Sequence, residues 1–232
     1  MRDYAGGVVL SFDKPLHWTS FDLVGKVRNA LCRRLGQKKF KVGHAGTLDP
    51  LATGVVLVCT GRATKQIETL MNHTKEYVAT LQLGATTPCF DMEKPVDRTY
   101  PTAHITREAI ESVLPRFRGE IAQVPPVFSA IKVGGKRAYD MARKGEEVEL
   151  APKRVIIDEL EVVSFDAEQM QLTLRVVCSR GTYIRALARD LGEALESGAY
   201  LTALRRTRVG DYRVEEALTI EAFLDRLAAE TD

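Results

Sequence analysis

The chain has 232 residues, 45% hydrophobic and 28% charged. That is the balance of an ordinary globular protein with apolar surface enough for a core, and it excludes disordered, collagen-like and mucin-like classes. Its formal charge of +2, 33 Lys and Arg against 31 Asp and Glu, implies no partner by itself. The longest apolar run of consequence, Val55 to Cys59, is far shorter than the roughly 20 residues of a membrane-spanning helix. With no charged-then-apolar leader at its start, the chain is expected to be soluble and cytoplasmic.

In chain order, Val8 to Phe12 reads as a short strand that ends in Asp13-Lys14-Pro15. Ser20 then caps a helix whose apolar residues Leu23, Val24, Val27, Leu31 and Leu35 recur at helical spacing. Gly54 to Thr60 is a buried strand and Ala63 to Met71 a short helix. Next, Tyr77, Ala79, Leu81 and Leu83 alternate with Val78, Thr80 and Gln82 as a strand does. A Pro-punctuated loop from Thr87 to Pro101 leads to a helix capped by Thr106 and stopped at Pro115. From Gln123 to Lys153 the pattern changes: Pro125-Pro126, Gly134-Gly135 and a weakly apolar basic helix around Tyr139 to Arg143 read as an arm inserted into the main domain. Strands resume at Val155 to Phe165 and Leu172 to Cys178. A helix from Tyr183 to Glu196, a strand from Leu204 to Tyr212 and a terminal helix from Thr219 complete the chain. No repeat of fixed period is visible. The expected fold is a single mixed α+β catalytic domain, residues 1–232, with a largely antiparallel central sheet flanked by helices and an arm at 123–153.

Four scattered cysteines and four dispersed histidines include no pair at metal-ligand spacing, so reduced core cysteines and no metal are expected. Charge is unevenly placed. Seven basic residues and no acid lie between Val24 and Lys41, and seven acids lie between Asp211 and Asp232. Further basic groups fall at Lys132, Lys136, Arg137, Arg143 and Lys144 and at Arg205, Arg206 and Arg208. Solvated faces account for any one cluster, but several together are the footprint of a phosphate-contacting surface.

The segment from Gly43 to Gly54, GHAGTLDPLATG, packs three glycines, a proline, a histidine and one carboxylate into a stretch just before a buried strand. A plain tight turn in which Asp49 caps its own backbone accounts for it as well as a catalytic loop does. Its spacing matches neither phosphate-binding glycine motif. A lone carboxylate there suits attack or proton transfer better than phosphate binding.

Together with Asp13-Lys14-Pro15, Trp18-Thr19-Ser20, Lys75-Glu76-Tyr77, Ser179 to Arg185 (SRGTYIR) and Leu204-Arg205-Arg206, this loop resembles, in order and over nearly the whole chain, the bacterial TruB family of tRNA pseudouridine synthases. The resemblance implies isomerisation of uridine 55 in the T loop of elongator tRNAs. It implies Asp49 as the essential carboxylate, Tyr77 stacked on the target base, and Arg185 paired with the aspartate. It also implies His44 holding the flipped-out RNA, Tyr183 and Leu204 lining the base pocket, and Lys14 with Pro15 supporting it. Lys132, Lys136, Arg137 and Arg143 on the arm and the basic face of the first helix are expected to meet the tRNA T arm, with the protein a monomer. Three departures stand out: His17 replaces a glycine, the acidic loop motif is altered to Thr86 to Asp91 (TTPCFD), and well-known members continue into a C-terminal RNA-binding domain beyond the point where this chain stops.

Pseudouridine formation breaks the bond from ribose to ring nitrogen, turns the uracil and rejoins the sugar to carbon 5, with nothing oxidised or lost. No cofactor is expected. A guanidinium beside a catalytic carboxylate favours its charged form. An aromatic at the start of an alternating strand, as Tyr77 is, is more often a core residue; its phenol is also able to take the carbon 5 proton or pass it to water. Two other readings stand beside this one: an idle RNA-binding protein on the same scaffold, and a glycoside or nucleoside hydrolase, which would need a second carboxylate.

Overall fold

Alternation along each apolar run decides the strands, and the computed structural model, which describes residues 3–129, 132–137, 141 and 148–229, shows where each one ends. Strand β1 (Val9–Lys14) buries Leu10, Phe12 and Lys14 in turn. It outlasts Phe12 because Asp13 and Lys14 still pair, with Val55 and Gly54. Helix α1 (Ser20–Arg34) buries Leu23, Val24, Val27 and Leu31. Its cap is Thr19 rather than Ser20: the Thr19 hydroxyl accepts from the Asp22 N–H at 3.0 Å and the Asp22 carboxylate accepts from the Thr19 N–H at 2.9 Å, a reciprocal box that satisfies two otherwise unpaired donors. Strands β2 (Val42–Ala45) and β3 (Ala52–Thr60) follow. The stretch expected as a helix at Ala63 to Met71 is a 3-10 turn, Gly61–Gln66, leading into α2 (Ile67–Met71).

Strand β4 (Lys75–Leu83) alternates buried and half-buried residues throughout. The pair β5 (Ala85–Thr86) and β6 (Arg98–Thr99) brackets the Pro-punctuated loop. Then come α3 (Arg107–Val113), capped by Thr106, and β7 (Gly119–Gln123). The remaining elements are β8 (Lys132–Val133), β9 (Lys136–Arg137), β10 (Lys153–Asp166), β11 (Gln171–Cys178), α4 (Ile184–Ala194), β12 (Ala199–Val209), β13 (Tyr212–Arg213) and α5 (Ile220–Ala229). Strand β12 begins five residues before Leu204 and ends at the Gly210 turn.

Two compact units make up the fold: residues up to Tyr77 together with those from Leu204 onward, and Val78–Ala203. In the first, β3 is the central strand. β1 runs antiparallel along one edge, Phe12 opposite Val56. The other edge is shared: the C-terminal half of β12 pairs with it in parallel, Leu204 opposite Ala52 and Arg206 opposite Gly54, and β2 pairs with it antiparallel further on, His44 opposite Val58. Ala45, Val55, Leu57, Cys59, Ala63, Leu70 and Val209 form a core on one face. Phe12 meets Phe223 of α5 edge-on at 5.4 Å.

In the second unit the strand order is β12, β4, β11, β10, β7. β10 lies antiparallel to both its neighbours, and the α+β class with a largely antiparallel sheet is what the structure shows. The arm leaves this sheet where Gln123 pairs with Lys153, so its root is a closed strand pair. Within it, β8 and β9 form a hairpin whose turn residues Gly134 and Gly135 have φ of 57° and 84°, the doubly left-handed turn that matches strand twist. The expected helix around Tyr139 to Arg143 lies outside the described residues.

Candidate active site

The Asp49 loop connects β2 to β3 within the first unit, and its main chain is held at almost every residue. Ser20, the first helical residue of α1, accepts from the Leu48 N–H at 2.9 Å and donates to the Leu48 carbonyl at 3.3 Å. The His17 N–H donates to the Pro50 carbonyl at 2.8 Å, and His17 has φ of 66°, a left-handed conformation that histidine tolerates where the family's glycine would be. The Ala52 N–H closes a turn on the Asp49 carbonyl at 3.0 Å. From inside, the Arg206 guanidinium donates to the carbonyls of Val55 at 2.6 Å, Gly46 at 3.2 Å and Thr47 at 3.3 Å. The loop is therefore a rigid platform with a half-buried Asp49 at its tip.

Four other residues picked out from the sequence belong to the same unit. Lys14 is fully buried, its ammonium donating to the carbonyls of Pro15 at 2.9 Å and Trp18 at 2.6 Å. Burial lowers its pKa to about 8, a shift that the nearby Asp49 carboxylate opposes and Arg206 reinforces. His44 lies in β2 rather than in the loop proper, because Gly43 to Ala45 still pair with β3. Its Nδ1 is buried with no hydrogen-bond partner among the described residues; burial first and then the Arg206 charge lower its pKa against an opposing Gly46 backbone hydrogen bond, so the neutral ring is favoured. Tyr77 is the third residue of β4, 8% exposed. Leu204 is half-buried opposite Ala52.

Tyr183 and Arg185 belong to the second unit, at the start of α4. Tyr183 is the residue before the helix, and its N–H and C=O are taken by one side chain: the Gln123 amide accepts at 2.8 Å and donates at 3.2 Å. Arg185 is 7% exposed. It donates to the carbonyls of Phe128 at 3.0 Å and Cys89 at 3.4 Å and lies 3.6 Å from the Asp91 carboxylate. Asp91 is fixed in turn: its carbonyl accepts from the Thr87 hydroxyl at 2.7 Å and its carboxylate from the Glu93 N–H at 2.9 Å. The loop read from sequence as altered thus supplies a buried carboxylate to Arg185. Lys132 lies in β8 opposite Arg137.

Sequence reasoning missed the holds that Ser20 and Arg206 have on the Asp49 loop and, in the second unit, those of Gln123 on Tyr183 and of Asp91 on Arg185. It placed Arg205, Arg206 and Arg208 in a phosphate-contacting cluster, and burial takes Arg206 out of it. Arg206 is 1% exposed, Arg205 forks onto the Asp13 carboxylate at 2.8 and 3.2 Å, and Arg208 faces Glu76 at 3.6 Å. The available signal was position: three arginines inside one strand, with Arg206 and Arg208 on one face and Arg205 on the other. Among the described residues no group of three or more His, Cys, Asp or Glu side chains could hold a metal ion, and no helix is long and apolar enough to cross a membrane.

Comparison with known proteins assigns the chain to a family. Residues 33–184 match the model of the TruB family pseudouridylate synthase N-terminal domain, and residues 185–232 that of the tRNA pseudouridylate synthase B C-terminal domain. A tRNA pseudouridine synthase B of Phocaeicola vulgatus is 65% identical over 221 residues, covering 95% of this chain and 93% of the relative. One of Bacteroides thetaiotaomicron is 61% identical over 235 residues, covering 99% and 98%. A solved structure of an H/ACA RNP bound to a substrate RNA containing 2'-deoxyuridine superimposes with a TM-score of 0.66 at 28% identity, covering 94% of this chain. The chain spans 52%, about half, of that neighbour's length. Fold and comparisons define an isomerase of the pseudouridine synthase class. The chain belongs to the TruB family, whose function is the isomerisation of uridine 55 in tRNA.

Proposed function

We propose that this chain isomerises uridine 55 in the T loop of elongator tRNA and that Asp49 is the carboxylate on which the reaction turns. The observation that carries the reading is the Asp49 loop itself: its main chain is anchored by Ser20, His17 and Arg206, while Asp49 stays half-exposed at the tip. Such preorganisation suits a group that must meet a reacting atom within a few tenths of an ångström.

The glycosidic bond breaks, the uracil turns and carbon 5 joins the sugar, its proton leaving to solvent. Asp49 serves by attacking the sugar or the base or by taking a ribose proton. The target base must leave its stack to be reached. Tyr77 offers a face for it, Leu204 an apolar wall, and His44, neutral by burial, a hydrogen-bonding group without charge; Tyr183 is a further base-binding residue and Arg185 a further catalytic one. Lys14 supports the turn after β1, and Lys132 with its arm neighbours meets the T arm. The protein acts as a monomer in the cytoplasm.

Carbodiimide and primer-extension mapping of tRNA before and after incubation tests the reading: a new stop at uridine 55 is expected with the parent and none with Asp49→Asn. Unchanged RNA with the parent would point to a binding protein, free uracil to a hydrolase, and single-turnover product from Asp49→Asn would remove Asp49 from its role.

A further inference from the structure

Strand β3 carries two partners on one edge, β12 as far as Gly54 and β2 from Leu57 on. Where one partner gives way to the other, the ladder has a gap, and the Asp49 loop springs from the end of β2 beside it. Into that gap β12 sends the Arg206 side chain. Its Nε bonds the Val55 carbonyl, on the outgoing stem of the loop, and its two terminal nitrogens bond Gly46 and Thr47, on the incoming stem. One planar group therefore ties both stems together, three residues and fewer from Asp49 on the incoming side.

A buried cation whose hydrogen-bond partners are all neutral carbonyls is a costly stabilising device, since desolvation of the charge offsets much of what the bonds return. What an arginine supplies that a neutral side chain does not is reach: five N–H donors in a rigid fork, able to fix three carbonyls of two separate segments at once. Ser20 completes the arrangement from the opposite direction. Its hydroxyl both accepts from and donates to the main chain of Leu48, the residue directly before Asp49, and is itself 1% exposed. A helix terminus and a strand thus grip the same four-residue stretch.

We propose that Arg206 and Ser20 are positioning residues for the isomerisation: they set the height and direction of the Asp49 carboxylate and touch no part of the RNA. The inference rests on Asp49 being the catalytic carboxylate, and the test separates the two. Single-turnover pseudouridine formation is followed with enzyme saturating and in excess over T stem-loop RNA for the parent, Ser20→Ala, Arg206→Lys and Asp49→Asn, with RNA affinity and melting temperature measured alongside. Loss of folded enzyme raises the total enzyme needed for saturation, whereas a displaced carboxylate lowers the rate constant at saturation.

Ser20→Ala, which removes one oxygen and keeps the helix, should lower the rate constant at least tenfold with the same total enzyme needed for saturation and unchanged RNA affinity. Arg206→Lys, which keeps the charge but loses the fork, should lower it further, on the scale of about a hundredfold that misplacement by 1 Å costs. Parent-like rate constants in Ser20→Ala, with only the enzyme needed for saturation raised or the melting temperature reduced, overturn the proposal. So does a loss that appears in RNA affinity alone. Product from Asp49→Asn at the parent rate would instead sink the assignment of Asp49 and leave the brace without an object.

Discussion

Lys14 holds a charge where no water reaches it. Both states carry the proton below pH 8, so the cost of burying the ammonium is constant there. Between pH 8 and the ordinary lysine value of 10.5 the folded protein releases its proton while the unfolded chain keeps it, so stability rises with pH across this window, by at most about 1.4 kcal/mol per unit. The difference in melting temperature between the parent and Lys14→Met should therefore be flat from pH 6 to 7.5 and move in the parent's favour from 8 to 10. A flat difference over the whole range would mean that the ammonium is not desolvated. Arg185 makes a different use of charge. It reaches Phe128, Cys89 and Asp91 from one planar group, which an ammonium cannot reproduce. Arg185→Lys should slow single-turnover isomerisation by about tenfold to a hundredfold, the equivalent of one charge-assisted hydrogen bond, with little change in RNA affinity. Parent-like turnover would show that the fork is dispensable. Asp49 was visible in the sequence because its loop has an unusual composition, and Arg185 because its motif carries the family resemblance. Ser20 and Arg206 stand in such motifs too, but what they hold was not legible, because their partners lie 28 and 151 residues away and nothing local distinguishes a hydroxyl that caps from one that braces.

Among the elements, β3 shows most plainly what periodicity reads and what it misses. Its apolar run marked a buried strand, and Val55 to Thr60 are all buried. The same run concealed β2, since Gly43 and His44 look like loop residues until a partner strand is in place. Likewise Ala199 to Ala203 alternates too weakly to announce the first half of β12, which is fixed by its place in the sheet. Gly54 explains why one glycine of the loop motif is not exchangeable. Its φ is 109°, and a Cβ there would come within 2.1 Å of the Arg206 carbonyl oxygen on the parallel neighbour. Gly46 has φ of 97°, but the nearest atom to its Cβ position is an Arg206 nitrogen at 3.8 Å. Gly54→Ala must therefore carry both backbone strain and a clash between strands, a loss of about 3 kcal/mol or more, while Gly46→Ala carries the strain alone, about 1 to 3 kcal/mol. Denaturant titration of the two variants should rank them in that order, and equal losses would show that β12 can move away from β3.

At the scale of the whole molecule, the weak net charge of +2 conceals an uneven distribution of charge along the chain. Lys26, Arg33, Lys38, Lys39 and Lys41 are exposed on and just after α1, and the arm adds basic residues along β8 and β9, whereas most acids of the C-terminal segment are exposed. Burial removes Arg206 from the phosphate-contacting set, and the proposed function takes α1 and the arm as the surfaces that meet RNA. Phosphates bound there displace counterions, so affinity for RNA should fall steeply as salt is raised, with a slope set by the number of contacts. If recognition rests on the T arm, a minimal T stem-loop should be modified nearly as well as intact tRNA at low salt. Neutralising Lys136 and Arg137, which occupy β9, should then weaken binding of both RNAs in parallel and reduce the salt slope by about 2, leaving the single-turnover rate at saturation unchanged because neither residue belongs to the Asp49 loop or its braces. An inert stem-loop beside active tRNA would place the decisive contacts outside the T arm. A double variant that binds both RNAs as tightly as the parent would remove the arm from recognition and leave α1 to carry it.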